Sequence, residues 1–155
     1  MKINENFLPA SGHLKITKRD AITGKILSVN EYDNVICTVG KTMIANNLTD
    51  AAPDNDPRIN YGALGSNVAA PVAGDTQLGT ETYRNLVASE TNSANVAYIT
   101  LFFSATECNG TYKEAGLFSN GTGAADSGVL VSHVAIDETK TVAQTLTIEW
   151  SIQVN

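Results

Sequence analysis

From Leu146 to Val154 apolar and polar residues alternate without a break. Leu146, Ile148, Trp150, Ile152 and Val154 stand against Thr147, Glu149, Ser151 and Gln153. A period of two is the mark of an antiparallel strand with one buried face, and it places Leu146, Ile148 and Trp150 in the core. Shorter runs of the same kind predict strands over His13–Lys18, Lys25–Tyr32, Ile59–Gly65, Arg84–Ser89, Val96–Ser104, Tyr112–Ser119 and Val129–Ile136. Residues 34–38 continue extended after the second strand. Phe118 joins the expected core at the end of its strand. Asp20–Gly24 supplies a hairpin turn, and Asn120–Gly128 a longer one rich in glycine. The pattern changes only once to a helical period. Val39, Met43, Ile44 and Leu48 form an apolar stripe, predicting a short helix over residues 41–48. Residues 51–58 and 66–74 are loops by their proline, asparagine and glycine content, and Asp75 is expected to cap a helical turn that inserts Leu78.

These elements predict an all-β fold: an antiparallel β-sandwich of about eight or nine strands, closed at one end by the short helix. At 155 residues the chain is long enough for one domain with a full core. The division expected is a polar arm over residues 1–12 and a single sandwich domain over 13–155. Only 17% of residues are charged, against 43% hydrophobic, which suits sheets and tight turns better than surface helices. A net charge of −6 gives no basic field for a phosphate backbone, so nucleic acid is not an expected partner. Neither a signal-peptide core nor a run of about 18–20 apolar residues is found, so synthesis in a cytoplasm without membrane insertion is expected. In that reducing setting Cys37 and Cys108 are expected as two free thiols.

One charge stands out. Glu114 lies in Tyr112-Lys113-Glu114-Ala115-Gly116-Leu117-Phe118, and strict alternation puts it on one face with Tyr112 and Gly116. A carboxylate on a packed face needs a partner. Arg84 is the best candidate, so the expectation is a structural ion pair, Arg84–Glu114, fixing the register of two strands. The alternative is a solvated glutamate on an edge strand.

The search for reactive groups returns little. His13 lies at a strand start and His133 inside a strand, a position that serves packing more often than proton transfer. No serine lies in a nucleophile elbow and no glycine-rich loop is followed by the lysine of a phosphate loop. Asp54-Asn55-Asp56 offers oxygen ligands, but a calcium loop wants glycine at its sixth position and glutamate at its twelfth, where Ile59 and Gly65 stand. The expectation is therefore a protein that is not an enzyme, with no catalytic, cofactor-binding or metal-binding residues.

The order of motifs carries more. Tyr61-Gly62-Ala63-Leu64-Gly65, then Ala69-Ala70-Pro71, then Asp75-Thr76-Gln77-Leu78-Gly79-Thr80-Glu81-Thr82-Tyr83-Arg84 resembles a pattern of tailed-bacteriophage tail proteins. The segment 109–118 and the threonine-rich last strand continue the resemblance, which spans roughly residues 14–155, although 61–65 has fewer glycines than the usual version. The resemblance implies a virion structural protein of the tail, baseplate or fibre-attachment region, made in the host cytoplasm. Its partners would be copies of itself and other virion proteins, in a trimer or hexamer. Candidate interface residues lie in the two long loops: Asp54, Asp56, Arg58, Asn67 and Pro71. No fibre or receptor-binding stretch follows the last strand in this sequence, so a head decoration or head-fibre base protein is an alternative placement. A different class, a carbohydrate or host-surface binding module, would need Tyr32, Tyr61 and Tyr83 as exposed aromatics.

Overall fold

A computed structural model describes residues 11–49 and 56–154. The strands are β1 (Ser11–Asp20), β2 (Ile26–Ile36), β3 (Ile59–Gly65), β4 (Glu81–Leu86), β5 (Ser89–Ser93), β6 (Val96–Phe103), β7 (Gly110–Ser119), β8 (Val129–Lys140) and β9 (Gln144–Gln153). One helix, α1 (Thr38–Thr49), follows β2. The fold is all-β, and every strand pairing is antiparallel. The strands form one nine-stranded sheet in the order β4-β3-β7-β8-β2-β1-β9-β6-β5.

That sheet curls so that its two halves face each other as the layers of a sandwich do. The hinge is β2, which pairs with β1 along most of its length but with β8 only at Val35 and Ile36. Between the halves lie Leu14, Ile16, Leu101, Phe103, Leu146, Ile148 and Trp150 from one side, and Leu64, Leu117, Val131 and Val134 from the other. Burying a side chain of this size contributes about 1.5–3 kcal/mol, so this layer is the main source of stability. Contact across the layer is direct: the Tyr83 ring of β4 meets the edge of Phe103 of β6 at 5.7 Å.

A second, smaller core lies on the outer face of the β3-β7-β8 region. Cys37, Ala63, Leu78, Phe118 and Leu130 form it, with Val39 and Tyr61 against it. The loop 66–80 roofs this face, and helix α1 runs beside β8 with Val39 against this core and Met43 in the main one. Gly40 lets the helix approach, since a Cβ there would lie 2.8 Å from the Val131 Cα. The helix therefore runs from Thr38 to Thr49, longer than the 41–48 expected, and it buries Gly40 and Met43 rather than the whole predicted stripe. Ile44 and Leu48 are exposed, because the face that meets β8 is set by the glycine.

Other expectations shift for local reasons. The stretch read as Arg84–Ser89 is two strands, broken at Val87–Ala88, where the chain crosses from one half of the sheet to the other. β2 runs unbroken to Ile36, joining the two extended segments expected. Ser11 and Gly12, expected in the arm, belong to β1 and pair with Gln153 and Ile152 of β9. The rest of the expected arm, residues 1–10, lies outside the described residues. Asp75 caps a turn and not a helix: its Oδ2 accepts from the Val72 amide at 2.8 Å. Leu78 inserts as expected and is buried. Among the described residues no helix is long and apolar enough to cross a membrane.

Candidate functional site

The outer face of β3, β7 and β8 is built from small residues. Pairing sets Ala63 beside Gly116, Gly116 beside His133, and Gly65 beside Glu114. A Cβ on Gly116 would sit 2.8 Å from Leu130 and 2.9 Å from Leu78, so glycine is what admits the roof. Into this shallow trough the strands project Glu114 and His133, while the loop 66–80 brings down Leu78 and Asp75. A pocket of about 300 Å³ remains under the loop, lined by Asn67, Asp75, Gln77, Glu114 and His133 among others.

Glu114 is buried, and both its oxygens are fully engaged. Oε1 accepts from the amides of Thr80 at 2.8 Å and Asn67 at 3.2 Å. Oε2 accepts from the Gly79 amide at 2.9 Å and faces His133 Nε2 at 3.0 Å. His133 Nδ1 in turn faces Asp75 Oδ2 at 2.7 Å. Each ring nitrogen of His133 faces a carboxylate oxygen. The chain Glu114–His133–Asp75 thus fastens both ends and the middle of the loop 66–80 to the sheet.

The expected ion pair between Arg84 and Glu114 is not formed. Arg84 lies across from Ala63, whereas Glu114 lies across from Gly65, one row further along, with β3 between them. Alternation also fails where the expectation needed it: the β7–β8 pairing is irregular between Tyr112 and Glu114. Tyr112 therefore joins the main core while Glu114 faces outward under the roof. Arg84 pairs instead with Glu81, Nε to Oε1 at 2.7 Å and Nη2 to Oε2 at 2.9 Å, a two-pronged contact in which both side chains are buried. Its Nη1 donates to the carbonyls of Thr122 and Ser127 at 3.0 and 2.9 Å. The guanidinium lies over Phe118 at 4.6 Å and Tyr61 at 5.5 Å. Arg84 is the clasp of the 120–128 turn.

Two further buried charges do similar work and had no clear signal in the sequence. Lys140 donates to the carbonyls of Ala105 and Glu107 and to Asn109 Oδ1, at 3.2, 2.8 and 3.0 Å, holding the loop between β6 and β7. Burial pulls its ammonium below the ordinary lysine value. Glu138 fills the gap where β2 leaves β8, accepting from Asn30 at 2.7 Å and Tyr32 at 2.8 Å and pairing with Lys18 at 2.8 Å. Burial, then the Glu138 contact, push the Tyr32 phenol up to about 12. The alternating Glu138-Thr139-Lys140 lies beyond the end of the strand that the sequence predicts, Val129–Ile136, whereas β8 continues to Lys140.

The other expected residues fall as follows. Trp150, Ile148, Leu146 and Phe118 are buried as expected. Asp54 lies outside the described residues. Asp56 is exposed and accepts from the Arg58 amide at 2.9 Å, a local turn contact. Arg58 is exposed and pairs with Glu90 of β5. Asn67 and Pro71 belong to the roof, Asn67 capping the Ala69 amide at 2.8 Å. Of the tyrosines, Tyr32 is bonded to Glu138, Tyr61 lies beneath Arg84 and Tyr83 packs on Phe103, so they form no common exposed platform. Cys37 and Cys108 are buried free thiols in different cores. Among the described residues no group of His, Cys, Asp or Glu is arranged to hold a metal ion. Compared with family models, curated proteins and solved structures, the chain has no significant match.

Proposed function

We propose that this chain is a structural protein of a tailed-phage virion, an adaptor or assembly component of the tail, baseplate or fibre-attachment region. It acts by packing against copies of itself and neighbouring virion proteins, and carries out no reaction. The observation that carries this reading is the use made of the motif residues. Leu78, Glu81, Arg84 and Glu114, on which the resemblance rests, are all buried and spent on fastening loops to the sheet. Both oxygens of Glu114 are occupied by protein donors, which leaves a tether and no base aimed at a substrate. Such rigid loops on a stable sheet give a fixed shape to neighbouring subunits, and virion shells and tails are built from repeated contacts of that kind.

Gold-labelled antibody against the chain, applied to tailed particles from a lysate in which it is expressed, tests the proposal. Label at the tail or baseplate is the expected result. Label on the head moves the protein to the decoration role, and particles free of the chain overturn the proposal.

A further inference from the structure

Among the described residues, the buried charges that fasten the sheet each face an ionisable partner, with one exception. Arg84 meets Glu81, Glu138 meets Lys18, and Glu114 meets His133. Lys140, only 2% exposed, meets none. Its Nζ donates to neutral oxygens alone: the carbonyls of Ala105 and Glu107, and Oδ1 of Asn109. The Glu107 carboxylate is turned to Ser104, accepting from its amide at 2.8 Å and its hydroxyl at 2.7 Å. A buried ammonium without a counter-charge gives up its proton more readily than one in water, and burial lowers this lysine accordingly. The neutral amine so formed is a nucleophile. What it touches is an amide, with Asn109 Oδ1 at 3.0 Å and Cγ one bond beyond. A single carbonyl clamps both groups: Ala105 O accepts from Lys140 Nζ at 3.2 Å and from Asn109 Nδ2 at 3.0 Å.

We propose that Lys140 and Asn109 become joined by an amide bond, which the folded chain makes once, on itself. Lys140 Nζ attacks Asn109 Cγ, the new C–N bond forms, and the Cγ–Nδ2 bond breaks. A proton passes from Nζ to Nδ2, which leaves as ammonia, so the step consumes no oxidant, reductant or further reactant. Two groups held in fixed contact react far faster than the same groups free in solution. Asn109 is exposed, which gives the ammonia a way out. The product is neutral, so the cost of keeping a buried ammonium disappears. Asn109 ends the connection from β6 to β7, and Lys140 ends β8 just before the turn into β9. Both connections pass from one half of the sheet to the other, so the bond ties them together at one end of the sandwich. This maturation step goes beyond the packing role proposed above and turns over no substrate.

Mass spectrometry of the full chain, incubated folded at neutral pH and then measured intact and after digestion, tests this. The expected result is a chain lighter than its sequence by one ammonia, together with a branched peptide joining Lys140 to Asn109. Lys140→Arg keeps the cation but removes the nucleophile, and is expected to hold the full sequence mass with no branched peptide. Asn109→Ala removes the carbonyl while leaving Lys140 in place, and is expected to behave in the same way. Because Asn109 is exposed, this second variant is expected to keep its fold, which circular dichroism checks. A natural chain that gives no branched peptide after prolonged incubation overturns the inference. So does an ammonia loss that survives unchanged in Lys140→Arg, since ring closure between Asn109 and the Gly110 amide releases ammonia without the lysine.

Discussion

Glu114 and Arg84 are both buried charges, yet they solve the problem of burial in separate places. Glu114 collects three backbone amides and one imidazole, and Arg84 meets a carboxylate, two carbonyls and two aromatic faces. Removing one member of a buried pair leaves the other uncompensated, which costs about 3–5 kcal/mol. The two networks share no partner, and that gives a sharp test of their independence. In a double-mutant cycle read by urea unfolding, Arg84→Ala and Glu81→Ala are expected to couple by about 1–3 kcal/mol, while Arg84→Ala and Glu114→Ala add to within about 0.5 kcal/mol. Strong coupling of the second pair would mean that the two charges do meet.

At the scale of elements, the roof over β3, β7 and β8 depends on what the strands lack. Gly116 lies under both Leu78 and Leu130, with Ser132 O only 3.2 Å from where its Cβ would be. Gly116→Ala must push Leu78 outward or shift the β7–β8 pair, and overpacking of this sort costs about 1–3 kcal/mol. The expected outcome is local. Amide hydrogen exchange should speed up at Asn67, Gly79 and Thr80, whose bonds to Glu114 hold the loop, while β9 and β1 keep their protection. Uniform loss of protection across the sheet would show that the roof is not a separable unit.

For the molecule as a whole, the two cores make the two thiols reporters of different regions. Cys37 lies beneath the roof and Cys108 in the layer between the sheet halves. Burial pushes their thiols up to about 12 and about 11, so almost no thiolate exists near neutral pH. The native protein is therefore expected to resist N-ethylmaleimide at both positions, and to label fully in denaturant. As urea rises, Cys37 should label first, because lifting the loop uncovers it without parting the halves. Simultaneous labelling, followed by mass spectrometry of the two peptides, would mean that roof and sandwich open together.

What the sequence determined by itself is the part of the protein that local periodicity controls. The alternation of Leu146–Val154 fixed a strand with Trp150 inside, and Ile59–Gly65 was legible to the residue, because in a strand the side chain's face follows from its place in the count. The motif residues Leu78 and Glu114 were legible as important, since an apolar side chain among polar ones and a charge among apolar ones each require burial or a partner. Which partner was left to the tertiary structure. Register along β3, an irregularity beside Tyr112 and the crossing at Val87–Ala88 together decide that Glu114 meets His133 and the loop amides, and that Arg84 meets Glu81. None of these has a local signature: a shift of one residue in pairing changes every neighbour while leaving each strand's own pattern intact.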